Sequence, residues 1–210
     1  MSHRKNRFLI RALSEFEQQK VWDPVIRIWH WVFVFTIGTE WFFGRYMSFD
    51  TIQWHFYLGY FTIALIAFRL LWGVIGPKPV RFRTMFRSFS TLGSYIRRIH
   101  RRSPSGTPGH NPLGALSVFA MLTLIAIQGM AGLFVESEDF FESGPFAEYV
   151  SQATIVSLTN LHHTIADILF VVVALHVAAI LFYLLWKKEN LIKPMINGWK
   201  TVTKKETGIK

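Results

Sequence analysis

Four stretches of the chain are apolar over about twenty residues or more, with polar or basic segments between them. They run roughly over 25–44, 52–75, 112–135 and 161–186. A helix of that length rises far enough to cross a hydrocarbon core of about 30 Å. The pattern therefore predicts an all-α protein, an integral membrane four-helix bundle forming a single membrane domain over residues 1–210. Punctuation agrees at two ends. Asn111-Pro112 reads as a cap and first-turn pair for the third helix, and GPKP at 76–79 stops the second.

The polar positions orient these helices. Lys and Arg number six in residues 1–29, eight in 76–111 and seven in 187–210, and the 76–111 connection holds no acid. The other two connections contain only Arg45, and the later one carries Glu136, Glu138, Asp139, Glu142 and Glu148. By the positive-inside rule, both termini and the 76–111 connection face the cytoplasm. Within that connection, FRSFSTLGSYIRRIHRR sets Phe86, Phe89, Ile96 and Ile99 near one helical face, flanked by Arg97, Arg98, Arg101 and Arg102. This is the pattern of an interfacial helix drawn to anionic membrane lipid. His100, among the arginines, and His3 read as solvated.

Composition then acts by exclusion. The formal charge of +10 sits between the apolar runs, which argues for membrane topology and against nucleic acid as a partner. The chain has no cysteine. That rules out disulfides, thiolate iron–sulfur clusters, covalently attached haem and cysteine-based zinc sites. A metal site must use histidine, carboxylate or backbone. After MSHRKNR, a short FLI is broken by Arg11, so no signal-peptide apolar region is visible.

Ionisable residues inside apolar helices are costly and mark functional sites. In LHHTIADILFVVVALH, His162 and His176 lie 14 residues apart, about 40° short of four whole turns. They share a face, about 21 Å apart along the axis. His163 points elsewhere and reads as a local pair with Asp167 near the outer interface. Helix one, entering from the cytoplasm through VIRIWHW, brings His30 to the inner level; helix two, entering through WHFYLGY, brings His55 to the outer level. The four form two layers, His30 with His176 inside and His55 with His162 outside. Two imidazoles from facing helices can hold one haem iron, so two layers imply two b-type haems. Zinc would want three or four ligands at one depth.

Further residues fit this arrangement. Gly59 lies one turn from His55 and Ala166 one turn from His162, where small residues let a flat macrocycle approach. Arg69, 14 residues after His55, shares its face at the inner level and is a candidate partner for a haem propionate. Gly129 and Gly132 read either as close-packing positions or as haem contacts. Glu40 and Arg45 read as belonging to the outer boundary.

The motifs PVIRIWHW, WHFYLG with Arg69 downstream, GHNPLG, LHHTIADILFVVVALH and LIKPMINGW resemble the bacterial cytochrome b561 and nickel–iron hydrogenase cytochrome b subunits, from Asp23 to Gly198. The resemblance implies a bacterial inner-membrane protein whose four helices hold two b haems. The ligands would correspond to His30, His55, His162 and His176. It also implies electron relay between a periplasmic redox protein, such as a hydrogenase or c-type cytochrome, and membrane quinone. The acidic 136–148 connection would steer a basic partner. Some smaller relatives work alone as superoxide-to-quinone oxidoreductases, which is the competing expectation. For His110, in GHNP, three readings stand: a quinone-site proton donor, a propionate contact, or a polar helix-start residue.

Overall fold

The computed structural model describes residues 16–107, 109–137 and 139–203; His3 and Glu138 lie outside the described residues. In chain order it contains strand β1 (Phe16–Lys20), helices α1 (Pro24–Arg45) and α2 (Ile52–Ile75), and short helices α3 (Phe82–Ser88) and α4 (Leu92–Arg97). Helix α5 (Pro112–Gly132) follows, then strands β2 (Glu136–Ser137) and β3 (Glu142–Ser143), helix α6 (Gln152–Leu185), helix α7 (Ile192–Asn197) and strand β4 (Trp199–Thr203).

The molecule is mostly helical. Among the described residues, α2, α5 and α6 are long and apolar enough to cross a membrane. Helix α1, at 22 residues, has the length but is less apolar, because Arg27, Glu40, Arg45 and three tryptophans interrupt it. The expected four crossings thus meet that measure at three.

Helix ends follow local chemistry. The Asn111 side chain accepts the Gly114 N–H at 2.8 Å, capping α5 as the Asn-Pro pair suggested. Helix α5 stops at Gly132, short of Val135, because the β2–β3 hairpin returns to it: Phe146 N–H donates to the Leu133 carbonyl at 3.0 Å, and Gly144 N–H to that of Val135 at 2.7 Å. Helix α6 starts nine residues before the expected Leu161. The polar stretch QATIVSLTN contains no helix breaker, and Ser151 Oγ accepts the Thr154 N–H at 3.3 Å as an N-cap. The single interfacial helix expected in 76–111 is instead two short ones, α3 and α4. Between them the Ser88, Ser90 and Thr91 hydroxyls bond back to carbonyls three residues earlier, competing with the helical pattern.

The chain divides into two compact units. One, the histidine unit, spans 28–76 and 116–177 and holds most of the length of the four long helices. Its buried residues include Ile52, Thr62, Ile66, Leu122, Ile125, Ile155 and Ile165. The other, the terminal unit, draws on residues up to 27, 77–115 and from 178 onward. There β1 and β4 pair antiparallel, with Phe16 opposite Thr203 and Lys20 opposite Trp199. The Val21 and Trp22 amides both donate to the Gly198 carbonyl, at 2.8 and 3.2 Å, and Val80, Met85 and Val202 fill the core.

Candidate functional site

All four histidines singled out by spacing lie in the histidine unit. His55 on α2 and His162 on α6 come together, their ring centres 6.2 Å apart and their planes at 86°. His55 Nδ1 lies 3.1 Å from the Glu40 carbonyl of α1, and His162 Nδ1 lies 3.1 Å from the Gln128 carbonyl of α5. A carbonyl only accepts, so each Nδ1 carries the proton and each Nε2 keeps its lone pair. This is the way a histidine ligand is usually oriented from behind.

Both backing carbonyls share a second device. Each already accepts the helical N–H of the residue four positions later, which is Gly44 for Glu40 and Gly132 for Gln128. A Cβ on Gly44 would meet His55 Cε1 at 3.1 Å, and one on Gly132 would meet His162 Cε1 at 3.2 Å. Glycine lets the imidazole slide against the helix and share the carbonyl. Sequence reasoning left Gly132 between two readings and missed Gly44, Gln128 and the Glu40 carbonyl. The signal was present as a glycine four residues after each acceptor, but only pairing across helices gives it meaning.

Of the other two, His30 stands on α1 and His176 on α6. His176 Nδ1 lies 3.4 Å from Ser117 Oγ, and His30 Nδ1 is buried with no hydrogen-bond partner among the described residues. Arg69, 2% exposed, is buried on α2. Glu40 is drawn inward from the boundary position expected of it: Thr62 Oγ1 donates to its carboxylate at 2.9 Å. Gly59 faces this carboxylate, at 3.5 Å from where its Cβ would stand. Gly129 packs against Ile63, consistent with its close-packing reading. His163 and Asp167 are exposed. His110 belongs to the terminal unit, where its ring meets Trp22 edge-on at 4.7 Å.

These residues fit a haem. Two imidazoles sharing one metal ion through bonds of about 2 Å have ring centres about 6 Å apart, the spacing of His55 and His162. Gln128 Oε1 and Thr159 Oγ1, on the same helices as the His162 contact, are buried without partners among the described residues, as is Trp72 Nε1. Buried polar atoms of this kind mark where a bound group or water completes the network. No three His, Cys, Asp or Glu converge among the described residues. An open apolar groove of about 310 Å³, lined by Ile127, Met130, Phe134 and Leu161 among others, contains none of the histidines.

The chain matches the family model for prokaryotic cytochrome b561 over residues 21–198. It is 24% identical over 208 residues to a protein of Rhizobium leguminosarum bv. viciae described as a probable Ni/Fe-hydrogenase B-type cytochrome subunit, covering 85% of this chain and 87% of that one. No solved structure matches significantly. With the match spanning both units and all four histidines, the chain belongs to the prokaryotic cytochrome b561 family.

Proposed function

We propose that this membrane cytochrome binds two b haems, through His55 with His162 and through His30 with His176, and relays electrons across the bacterial inner membrane between a periplasmic redox protein and quinone. The family and its B-type cytochrome relative support membrane electron transfer and haem b. The observation that carries the dihaem reading is the facing pair His55 and His162, each Nδ1 tied to a helix carbonyl, leaving two Nε2 atoms for one iron. Bound haem supplies a one-electron redox couple.

The protein's part is to hold and to exclude. The Glu40 and Gln128 carbonyls orient the outer imidazoles, Gly44 and Gly132 admit them, and Ser117 contacts the inner His176. In this reading α1 crosses the membrane as a fourth span, His30 and His176 form the inner layer, and both termini are cytoplasmic. Arg69 pairs with an inner propionate. His110 serves quinone or a propionate at the cytoplasmic side. The exposed acids Glu136, Asp139, Glu142 and Glu148 steer a basic partner such as a hydrogenase or c-type cytochrome.

The test is haem stoichiometry. Acidified organic solvent should extract two haems per purified chain. His162→Ala should remove about half the absorbance, while His163→Ala should leave it nearly intact, since that ring faces outward. One haem in the wild type, or the reverse order of the two variants, would overturn the assignment.

A further inference from the structure

Electron relay gives no role to the arginines of the RRIHRR segment, 97–102. They belong to a connection with eight Lys or Arg and no acid, and such a run would normally self-repel and remain solvated. Here it is fixed within the terminal unit. Lys187 Nζ donates to the Ile99 and Arg101 carbonyls at 3.4 and 3.0 Å, and Trp186 Nε1 donates to the His100 carbonyl at 3.0 Å. On one side the Tyr95 and Tyr183 hydroxyls share a hydrogen bond. On the other, the Ser105 amide and hydroxyl donate to the Glu189 carboxylate at 2.7 Å each. Segment 95–105 therefore lies in register along 183–189, at the end of α6.

Pinning the carbonyls determines what is left to face out. Lys187 is 4% exposed, its ammonium committed to the backbone, whereas Arg97, Arg98, Arg101 and Arg102 are exposed. The Arg102 guanidinium sits 3.9 Å over the Trp186 ring. A guanidinium already held in place binds phosphate well, because its planar fork loses little freedom on pairing. Depth selects the source of phosphate. Helix α6 is long and apolar enough to cross a membrane, and Trp186 is the first residue beyond it, where tryptophan marks headgroup level. Exposed Phe86 and Ile96, in the same unit, supply apolar surface for which a soluble anion has no use.

We propose that the 97–102 arginine cluster, pinned against the end of α6, is a binding site for the phosphate groups of anionic phospholipids. The test uses the full chain in mixed micelles of detergent, phosphatidylcholine and phosphatidylglycerol. Lipid retained after gel filtration is counted by headgroup. The wild type should enrich phosphatidylglycerol about fivefold over its share of the mixture, the scale expected when one or more arginines act at a membrane surface. Changing Arg97, Arg98, Arg101 and Arg102 together to Gln should abolish the enrichment, with helix content by circular dichroism unchanged. Enrichment that survives this change overturns the proposal.

Lys187→Gln keeps all four arginines but releases the segment. It should lose at least half the enrichment, and Lys187→Arg should restore it; an unchanged Lys187→Gln variant overturns the pinned site. In the wild-type protein itself, about 0.5 M salt should reduce enrichment. Displacement by heparin at matched charge would overturn the lipid assignment in favour of a soluble polyanion.

Discussion

Gly44 and Gly132 play the same part on two different helices. Each sits one turn beyond a carbonyl that accepts a histidine Nδ1, and each would place a Cβ within 3.2 Å of that ring. A larger side chain must push the imidazole off its carbonyl. Gly132→Val should therefore cost about 1–3 kcal/mol by overpacking and reduce haem retained at the His55 and His162 pair. Thermal unfolding and haem stoichiometry measure the two effects separately. Unchanged haem content would mean that the helix shifts as a body to accommodate the branch. Arg69 makes a different prediction. On the proposed two-haem reading, removing its buried charge with Arg69→Leu favours the more positive, oxidised haem, so the inner midpoint potential should fall while the outer stays fixed, as read by redox titration.

Among the elements, the strand pair and the start of α6 show how backbone chemistry decides an end. Gly198 has φ +87°, and a Cβ there would stand 2.7 Å from the Trp22 carbonyl. That carbonyl belongs to the turn whose neighbouring amides bond to Gly198 itself. Gly198→Ala should lose about 1–3 kcal/mol, the range for a residue held in a sparsely populated conformation. Denaturation would report it, and hydrogen exchange would assign the loss to β1 and β4. Helix α6 depends on a cap. Ser151→Ala should cost about 1 kcal/mol and fray its first turns, raising amide exchange at 152–160 and leaving 165–175 protected. Equal exchange in this variant and the wild type would deny Ser151 that role.

Within the terminal unit, a buried ion pair after α6 ties that part of the chain to the distant 105–109 segment. Glu189 and Lys200 meet at 3.1 Å, 7% and 5% exposed, and Lys200 also donates to the Gly109 carbonyl at 3.2 Å. Burial pushes the Glu189 carboxyl up, but the Lys200 ammonium and the Ser105 donors outweigh it and hold it below its ordinary value. A depressed carboxyl stabilises the fold fully above its unfolded value, near pH 4.3. That contribution is lost as pH falls through the lower folded value. Protection of the Ser105 amide should therefore decline below about pH 4, and Glu189→Gln should flatten this acid limb. Glu189→Ala leaves the ammonium buried and unpaired, an expected loss of about 3–5 kcal/mol in denaturant unfolding.

The apolar runs, by length alone, predicted helices over roughly 25–44, 52–75 and 112–135, close to the observed 24–45, 52–75 and 112–132, because burying a run of that kind in hydrocarbon leaves the backbone few alternatives. Helical periodicity predicted His162 on the face of His176 and His163 off it, and of the three only His163 is exposed. The family was legible in its motifs. The ends of helices were less so: Ser151, a single hydroxyl, outweighed the polar residues that suggested a later start for α6. Strand pairing across the chain was not legible at all. Strands β1 and β4 join residues 16–20 to 199–203, and their register depends on Gly198 meeting the turn at Trp22. The carbonyls behind His55 and His162 are backbone atoms, which every residue has, so no residue type advertises them. Only the helices' mutual placement decided which carbonyls face a ring, and there glycine four residues on became a requirement of space.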